Sequence, residues 1–385
     1  MKIFLWLLAS CLVFFGMGIQ VFAIENPLGV PNNKFGVHIL FASELSEAAR
    51  LVNSNGGDWG YITIPIQATD KNLIKWQKFM DDSRSLHLIP IIRLATENYY
   101  FNTKVWRKPD ETDILDFANF LDSLDWPTQN RYVVIFNEVN RSDEWGQEFS
   151  PAEYAKILQY AVMVFKSKQS DFFIISAGLD NASANIPKES MDEYKFMLGM
   201  NDAVPGIFNQ IDGLGSHSYP NPGFSQPASV LTPKSISSFK YEKDLVGNLS
   251  GKSLPVFITE TGWSLNMVSE SKVASYYEEA FASVWNDEAI VAVTPFLLRA
   301  GAGPFVQFSL INSLGGPTLG YKAIDKIQKV KGAPKLSENN ITDNIDKPQK
   351  NLLPTKNFLD NLTIEKDSFV QLKTVKTILK WFIQP

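Results

Sequence analysis

Two glutamates stand directly behind apolar segments of strand length, and they are the residues of this chain best placed to do chemistry. Glu138 comes shortly after the apolar run at residues 133–136, and Glu260 comes shortly after residues 256–258. Uninterrupted apolar runs of this length are typical of strands buried on both faces in parallel α/β sheets. Ligands bind beyond the carboxyl ends of such strands. If both ends share one rim, the two carboxyls form a pair that can cleave a glycosidic bond.

The rest of the chain alternates strand-like and helix-like segments, which must position these two glutamates. Candidate strands lie at residues 35–40, 59–64, 88–94, 132–138, 172–177, 211–217, 256–260 and 290–298. Candidate helices lie between them at residues 45–53, 72–83, 111–121, 151–166, 191–198 and 272–285. Eight strands with helices between them predict an α/β fold, a (β/α)8 TIM barrel, with Glu138 on the fourth strand and Glu260 on the seventh. An open doubly wound sheet is the alternative, but no glycine-rich phosphate fingerprint follows the first strand.

The segment at residues 218–254, after the sixth candidate strand, is rich in Pro, Ser and Gly and predicts a long loop. Long loops in compact domains often carry function, and this one would lie on the rim that holds both glutamates. We expect it either to shape a substrate cleft or to be a mobile insertion without a role.

Composition and charge narrow the possible functions. The chain has 385 residues with 45% hydrophobic content, which suits one large domain. The net charge of −5 and the lack of a basic stripe argue against a nucleic-acid partner. Its three histidines, His38, His87 and His217, are far apart in sequence and show no metal-ligand spacing, so we expect no metal site. No motif for another cofactor or for a serine nucleophile appears.

The two ends of the chain differ from its middle. Residues 1–23 combine Lys2 with a long apolar run and a small residue, Ala23, which predicts a signal peptide. An uncleaved membrane anchor is the alternative, because the run is long for a signal. A lipoprotein signal ending at the single cysteine, Cys11, would stand too early in the run. Either main interpretation predicts a secreted or cell-surface protein.

Residues 329–365 are rich in Lys, Asn, Asp and Pro and predict a linker or disordered segment, so that the barrel would occupy residues 24–328 and carry a flexible C-terminal tail. Residues 366–385 predict a basic amphipathic segment, which can associate with an anionic membrane. A helix docked on the barrel is the alternative. The apolar face of the segment consists of Leu372, Val375, Leu379 and Phe382.

The two strand ends resemble the catalytic motifs of the clan A retaining glycoside hydrolases. Asn137 and Glu138 end the fourth strand, and Glu260 begins a Glu-Thr-Gly-Trp string that is similar to the nucleophile region of the beta-glucanase families in that clan. The resemblance covers roughly residues 30–328. It implies that Glu138 is the general acid/base and Glu260 the nucleophile of a retaining hydrolase that acts on beta-linked glycans.

The resemblance also implies roles for residues around the pair. Asn137 would hydrogen-bond the 2-hydroxyl of the sugar, and His217 or Tyr219 would hold Glu260 in orientation. Trp263 and Trp145 are candidates for stacking on sugar rings; packing in the core is the alternative for Trp263, and Trp145 follows a polar loop.

In two places the sequence departs from the clan pattern. The arginine expected near the end of the second strand is missing, and Arg93 at the end of the third strand is its candidate replacement. The tryptophan expected on the eighth strand is also missing, and Phe296 is the nearest equivalent. Glu144 is a rival acid, ranked lower because it follows the strand in a polar loop.

Two other functions use the same residues. A barrel that binds glycans at the cell surface without cutting them would explain the missing arginine and tryptophan, although a binder does not need a pair of mutually repelling carboxylates. A transglycosylase would use the same pair and pass the sugar to another sugar instead of water. In each case the expected partner is a carbohydrate.

Overall fold

The computed structural model describes residues 24–99, 102–301 and 303–337. The predictions for residues 1–23 and for residues 338–385 therefore lie outside the described residues. Within them, no helix is both long and apolar enough to span a bilayer. The strands are β1 (Gly36–His38), β2 (Gly60–Gln67), β3 (Leu88–Ala95), β4 (Asn98–Tyr99), β5 (Asn102–Trp106), β6 (Arg131–Val134), β7 (Phe172–Ile175), β8 (Leu214–His217), β9 (Val256–Glu260) and β10 (Ile290–Val293).

Eight of these strands form one parallel ring, and the predicted TIM barrel is confirmed. One sheet has the order β1-β2-β3-β6-β7, and a second has the order β10-β9-β8. Two parallel bridges join the sheets, one between Ile175 and Gly213 and the other between Phe35 and Val293. Strands β4 and β5 form a separate antiparallel hairpin after β3, which the sequence pattern did not reveal.

The helices lie in the intervals between the strands, as predicted, but they also include segments that were missed. They are α1 (Leu45–Val52), α2 (Leu73–Ser85), α3 (Glu111–Asp122), α4 (Pro151–Lys168), α5 (Glu193–Ala203), α6 (Ile207–Gln210), α7 (Ser238–Ser250), α8 (Glu270–Ala282) and α9 (Leu319–Lys326). Helix α4 begins as its sequence indicates, because the side chain of Ser150 accepts a hydrogen bond from the backbone of Glu153 and Pro151 takes the first helical position.

Helix α7 corrects the prediction that residues 218–254 form one long loop. Only residues 218–237 connect β8 to this helix. The buried face of α7 includes the polar residues Ser238 and Glu242 beside Phe239 and Val246. Since half of that face is polar, the apolar periodicity that reveals a helix in a sequence is absent here.

Aromatic side chains fill the interior of the barrel. Tyr132 lies at its centre, with ring centroids 5.0 Å from Phe173 and 5.4 Å from Phe257. All three are buried and pack with Tyr61 and Ile91 in one cluster. The opposite faces of the strands pack against the helices in a second, larger cluster. The ring interior is therefore a packed core, and chemistry is confined to its rims.

We expect Phe257→Ala to lower the free energy of unfolding by about 3–5 kcal/mol, because the lost ring leaves a cavity that the surrounding strands cannot close. Urea denaturation followed by circular dichroism measures this loss. Phe120→Ala is the control, since Phe120 is only half-buried on the outer helix α3 and should cost less. Equal losses for the two variants would contradict a close-packed barrel interior.

The amino end of the barrel is covered by both ends of the described chain. The backbone N–H of Ala333 donates to Pro31 O at 2.8 Å, and Lys335 forms an ion pair with Glu25 at 3.0 Å. Residues 329–337 were predicted as the start of a linker, and this part of the prediction is corrected. They pack on the barrel because Lys329 is buried, with its Nζ donating to Ile324 O at 2.7 Å, and because Leu336 bridges to Thr128.

Candidate active site

The strand ends bring both predicted glutamates to the carboxyl rim of the barrel. Glu260 is the last residue of β9. Glu138 follows β6 through a turn in which Phe136 (φ 67°) and Glu138 (φ 37°) adopt left-handed backbone conformations. Such conformations are uncommon for residues other than glycine and persist only where the surroundings enforce them. Here the backbone N–H of Glu138 donates to Gly178 O at 3.0 Å, which fixes the turn.

The two carboxyl groups face each other across a short gap. One oxygen of Glu138, one oxygen of Glu260 and a ring nitrogen of His217 all lie within 4.8 Å of one another. Carboxyls about 5–5.5 Å apart suit direct attack by one of them, whereas a pair that activates a water between its members stands about 6.5–9.5 Å apart. The nearest oxygens of Glu138 and Glu260 therefore lie closer together than those of a pair that holds a water between its members.

Glu260 is surrounded by donors on both of its oxygens. The guanidinium of Arg93, at the end of β3, forms an ion pair with Oε1, and the hydroxyl of Tyr219 donates to Oε2 at 3.0 Å. Nε2 of His38, at the end of β1, lies 3.7 Å from Oε1. Glu260 is only 7% exposed. The positive charge and the hydrogen bond stabilise the carboxylate and leave it one orientation.

Glu138 has a different set of partners. Its Oε1 lies 3.0 Å from Nδ1 of His217, and Nη1 of Arg141 donates to its Oε2 at 3.3 Å. The same arginine donates to Asp143 at 2.7 Å and lies 3.6 Å from Asp180. Because Asp143 and Asp180 lie against the same guanidinium, their negative charges offset part of the stabilisation that Arg141 gives to the charge of Glu138.

The two buried histidines of the site differ in their basicity. Burial opposes the charged form of His217, but the negative charges of Glu260 and Glu138 outweigh burial and hold the pKa of His217 above its usual value. Burial, and then the positive charge of Arg93, hold the pKa of His38 well below its usual value. His38 is therefore neutral, and neither of its ring nitrogens has a hydrogen-bond partner among the described residues.

The structure brings most of the predicted site residues together. Oδ1 of Asn137 accepts from Nη1 of Arg93 at 2.5 Å, so that this arginine links the amide to Glu260. Tyr219, one of the two candidates for holding Glu260, makes that hydrogen bond, while the other, His217, lies closer to Glu138. Phe296 packs edge-on against His38 with ring centroids 5.1 Å apart.

Both tryptophans expected to stack on sugars lie in the core instead. Trp145 is fully buried, with its ring centroid 5.7 Å from that of Tyr154. Trp263 is 1% exposed and packs edge-on against Tyr277 at 5.0 Å, while its Nε1 donates to Gln226 O at 2.7 Å. The core alternative is therefore correct for Trp263, and the stacking expected of Trp145 is wrong because its ring is fully buried as well.

Three residues of the site were missed from the sequence. His38 was considered only as a metal ligand, yet its position after a short apolar strand could have identified it as a rim residue. Arg141 comes three residues after Glu138 in the sequence, and this spacing alone does not identify it as a residue of the site. Gly178 provides space for the ring of His217, since a Cβ there would lie 2.1 Å from Cδ2 of that histidine.

Glu144, the rival acid, lies near the pair. Burial, and then the negative charge of Glu138, raise the pKa of Glu144 to about 8. It follows Asp143 in the turn after β6, where its side chain is half-buried. Glu144 can therefore carry a proton at neutral pH beside Glu138.

The same cluster of side chains is the one candidate metal site among the described residues. Glu138, His217 and Glu260 each offer one ligand atom. However, Arg93 and Arg141 already place a guanidinium against each of the two carboxylates. These positive charges oppose the binding of a cation, so the donor set fits carboxylate chemistry better than metal chemistry.

No protein-family model and no curated protein matches this sequence. Solved structures of glycoside hydrolases do match its fold. A family 39 glycoside hydrolase from Bacteroides cellulosilyticus WH2 has a TM-score of 0.54 and 18% identity, over 78% of this chain and 64% of that chain. This chain thus spans slightly less than two thirds of that enzyme.

Two further matches are GH5_18 proteins. The one from Bifidobacterium longum subsp. infantis has a TM-score of 0.53 and 12% identity, over 77% of this chain and 78% of that chain. The one from Streptomyces cattleya, a variant in complex with Manb1-4GlcNAc, has a TM-score of 0.54 and 10% identity, over 77% of this chain and 80% of that chain. The chain therefore shares the fold of these glycoside hydrolases.

Proposed function

We propose that this protein is a retaining glycoside hydrolase that acts on beta-linked glycans. The observation that carries the proposal is the carboxyl pair, in which one oxygen of Glu138 and one of Glu260 lie within 4.8 Å at the carboxyl rim of the barrel. The difference between their partners supports two distinct roles. Glu260 pairs with Arg93, which contacts no other carboxylate among the ion pairs of the described residues, and a nucleophile must stay charged. Glu138 shares Arg141 with two other carboxylates.

The proposed reaction has two displacements at the anomeric carbon. Glu260 attacks that carbon while Glu138 protonates the departing glycosidic oxygen, so that the C–O bond breaks and a glycosyl ester forms on Glu260. Glu138, now a carboxylate, removes a proton from a water molecule that attacks the same carbon and releases Glu260. Two inversions give net retention of the anomeric configuration. If a sugar hydroxyl replaces the water, the same steps give transglycosylation.

The residues around Glu260 would serve different stages of this reaction. Arg93 and Tyr219 stabilise the carboxylate before attack and again when it leaves. Asn137, held by Arg93, is placed to bind the hydroxyl next to the anomeric carbon. Because His38 is neutral, it adds no positive charge that would lower the nucleophilicity of Glu260 toward the anomeric carbon.

We expect Tyr219→Phe to lower kcat by about 10- to 100-fold, since a hydrogen bond to a charged group contributes roughly 1.5–3 kcal/mol. The ring itself remains in its aromatic contacts with Phe224 and Phe308, so the variant should fold normally. Steady-state kinetics and a melting curve check both expectations. An unchanged kcat would contradict a role for this hydroxyl in holding Glu260.

Hydrolysis of soluble beta-glucans, beta-mannans and their oligosaccharides, followed by reducing-end release, tests the proposed function. Glu260→Gln keeps the shape of the side chain and removes the nucleophile. Turnover by the wild type together with binding but no turnover by Glu260→Gln supports an enzyme. Binding by both proteins without any turnover would support a glycan-binding barrel instead.

The specificity and the location of the protein belong to the proposal as well. Beta-linkage is supported by the Glu-Thr-Gly-Trp string at residues 260–263, and the disaccharide held by the Streptomyces cattleya protein is also beta-linked. Export as a secreted or cell-surface protein is supported by the apolar run at residues 1–23. Membrane association would use that run or residues 366–385.

A further inference from the structure

A second pair of buried carboxyls lies outside the barrel, behind the strand end that carries His217. Glu193 belongs to α5 and is 2% exposed, and Glu242 belongs to α7 and is 4% exposed. Neither carboxyl oxygen of Glu193 accepts a hydrogen bond of normal geometry from a described residue, although the hydroxyl of Tyr194, which donates to Pro233 O at 3.2 Å, lies close enough to act on it. Buried carboxylates are normally paired with a cation or a set of donors, and this pair has no role in the proposed reaction.

The charges that act on the pair are mostly negative. Those with the largest effect belong to Asp180 and Asp192, which precede α5, and to His217, on β8, while the hydroxyl of Tyr194 acts on Glu193 as a hydrogen-bond donor. Only His217 can be positive, and it faces the barrel axis. Two buried carboxyls that lie near each other and near further carboxylates can lower their energy by holding protons.

The pKa values of both groups agree with this geometry. Burial, and then the negative charge of Glu242, hold the pKa of Glu193 well above its usual value. Burial raises the pKa of Glu242 to about 7, although a hydrogen bond from Ser216 opposes the rise. Glu193 therefore favours its protonated form, and Glu242 loses its proton as the pH rises through about 7.

Serine hydroxyls connect Glu242 to the end of β8. Oγ of Ser216 donates to Oε1 of Glu242 at 2.9 Å and lies 2.8 Å from Oγ of Ser218. Oγ of Ser238, on α7, donates to Oγ of Ser218 at 3.0 Å. Because side chains alternate along a strand, Ser216 and Ser218 point away from the barrel while His217 between them points into it. The network thus fixes the backbone on both sides of the histidine that contacts Glu138.

We propose that Glu193 and Glu242 form a proton-holding pair, and that through Ser216 this pair is a positioning element for His217. The expected effect of the pair on catalysis rests on the proposed function. The expected effects of the pair on stability and on the His217 ring do not depend on that function. When Glu242 ionises, a buried negative charge appears near Asp180 and Asp192, and α7 can no longer keep its contact with β8 unchanged.

The direction of the pH effect follows from the raised pKa values. Stability from the protonated pair is fully present below the ordinary pKa of a glutamate, about 4.5, and is lost as the pH rises through about 7. Glutamine mimics the protonated acid and does not titrate. We therefore expect the Tm of the wild type to fall between pH 5 and 8. In Glu242→Gln the fall over the same range should be smaller by roughly 5 °C.

Thermal melting of the full chain from pH 4.5 to 9 tests the pair. Glu189→Gln is the control, since Glu189 is exposed just before α5 and its loss should leave the melting profile unchanged. Glu193→Gln should also make Tm depend less on pH. If Glu242→Gln fails to fold, Glu193→Gln provides the same test. Parallel profiles for the wild type and the folded glutamine variant would overturn the proton-holding pair.

The histidine rings report on the positioning role without any substrate. The sequence has three histidines, so ring resonances of protein labelled with ¹⁵N-histidine can be assigned by substitution. In the wild type the pH dependence of the His217 resonances should show, besides the titration of the ring itself, an additional inflection near pH 7, and this inflection should be absent in Glu242→Gln. The resonances of the exposed His87 should be the same in both proteins. A His217 titration that is the same in both proteins would overturn the positioning role even if the melting profiles differ.

The pH profile of activity then separates this inference from the proposed function. If the protein hydrolyses glycans, Glu242→Gln should extend the alkaline limb of kcat while KM at pH 5 stays unchanged. An alkaline limb that does not move would overturn the link to catalysis. If no glycan is hydrolysed, the proposed function fails, and the melting and resonance measurements still decide whether the carboxyl pair positions His217.

Discussion

Glu260→Ala should reduce hydrolysis of every substrate by on the order of 10⁴- to 10⁶-fold, since removing a nucleophile abolishes the first displacement rather than weakening it. The variant loses the ion pair with Arg93, which keeps its hydrogen bond to Asn137, so a melting curve must show that the protein is folded. Kinetic assays with purified protein measure the loss. Glu278→Ala is the control, because Glu278 is exposed on α8 and its removal should leave activity unchanged.

A small anion offers a second test of the same variant. The space left by the Glu260 side chain is lined by Arg93 and Tyr219, which would stabilise azide there. With an activated beta-glycoside, azide should restore turnover and give the glycosyl azide of inverted configuration, since only one displacement takes place. Residual activity within about tenfold of the wild type in Glu260→Ala would contradict its role as the nucleophile.

Glu138→Ala should show losses that depend on the leaving group. General acid catalysis contributes about 10²–10⁴-fold, so natural glycans should lose activity by that factor. Dinitrophenyl glycosides, whose leaving group needs no proton, should keep nearly normal rates of the first displacement. The measurement is kcat/KM for a series of aryl glycosides whose phenol leaving groups differ in acidity. The plot of log kcat/KM against the pKa of the phenol should be steeper for the variant than for the wild type.

Glu144→Ala is the matched control for this prediction. Glu144 is also a carboxyl near the pair, and the pKa raised to about 8 lets it carry a proton at neutral pH. If Glu138 is the acid, Glu144→Ala should keep the shallow slope of the wild type. A steep slope in Glu144→Ala together with a shallow slope in Glu138→Ala would reverse the assignment of the acid.

The barrel and its carboxyl pair could be predicted because both depend on local patterns. Buried parallel strands are apolar along their whole length, so the segments before Glu138 and Glu260 stand out from the rest of the chain. Once eight such segments alternate with helices, the ring topology places all strand ends at one rim. Arg93 and Tyr219 could be predicted as site residues for the same reason, since Arg93 lies near the end of β3 and Tyr219 follows β8.

Other parts of the site depend on contacts that no local pattern carries. The tryptophans at residues 145 and 263 follow strand ends as sugar platforms would, but their rings turn into the core against Tyr154 and Tyr277. Arg141 contacts Glu138 only because a left-handed turn directs the chain back. Helix α7 escaped notice because its buried face carries Ser238 and Glu242, whose partners lie on β8 and α5.

The most direct test of the proposed mechanism is the mass of the protein after reaction with 2-deoxy-2-fluoro-beta-glycosides that carry a dinitrophenyl leaving group. The fluorine slows both displacements, and the activated leaving group restores the first, so that a glycosyl-enzyme accumulates in a retaining hydrolase. The predicted result is a gain of one fluorosugar residue, located by peptide mapping on Glu260 and absent in Glu260→Gln. Release of fluorosugar without any covalent adduct, or an adduct on Glu138, would contradict Glu260 as the nucleophile.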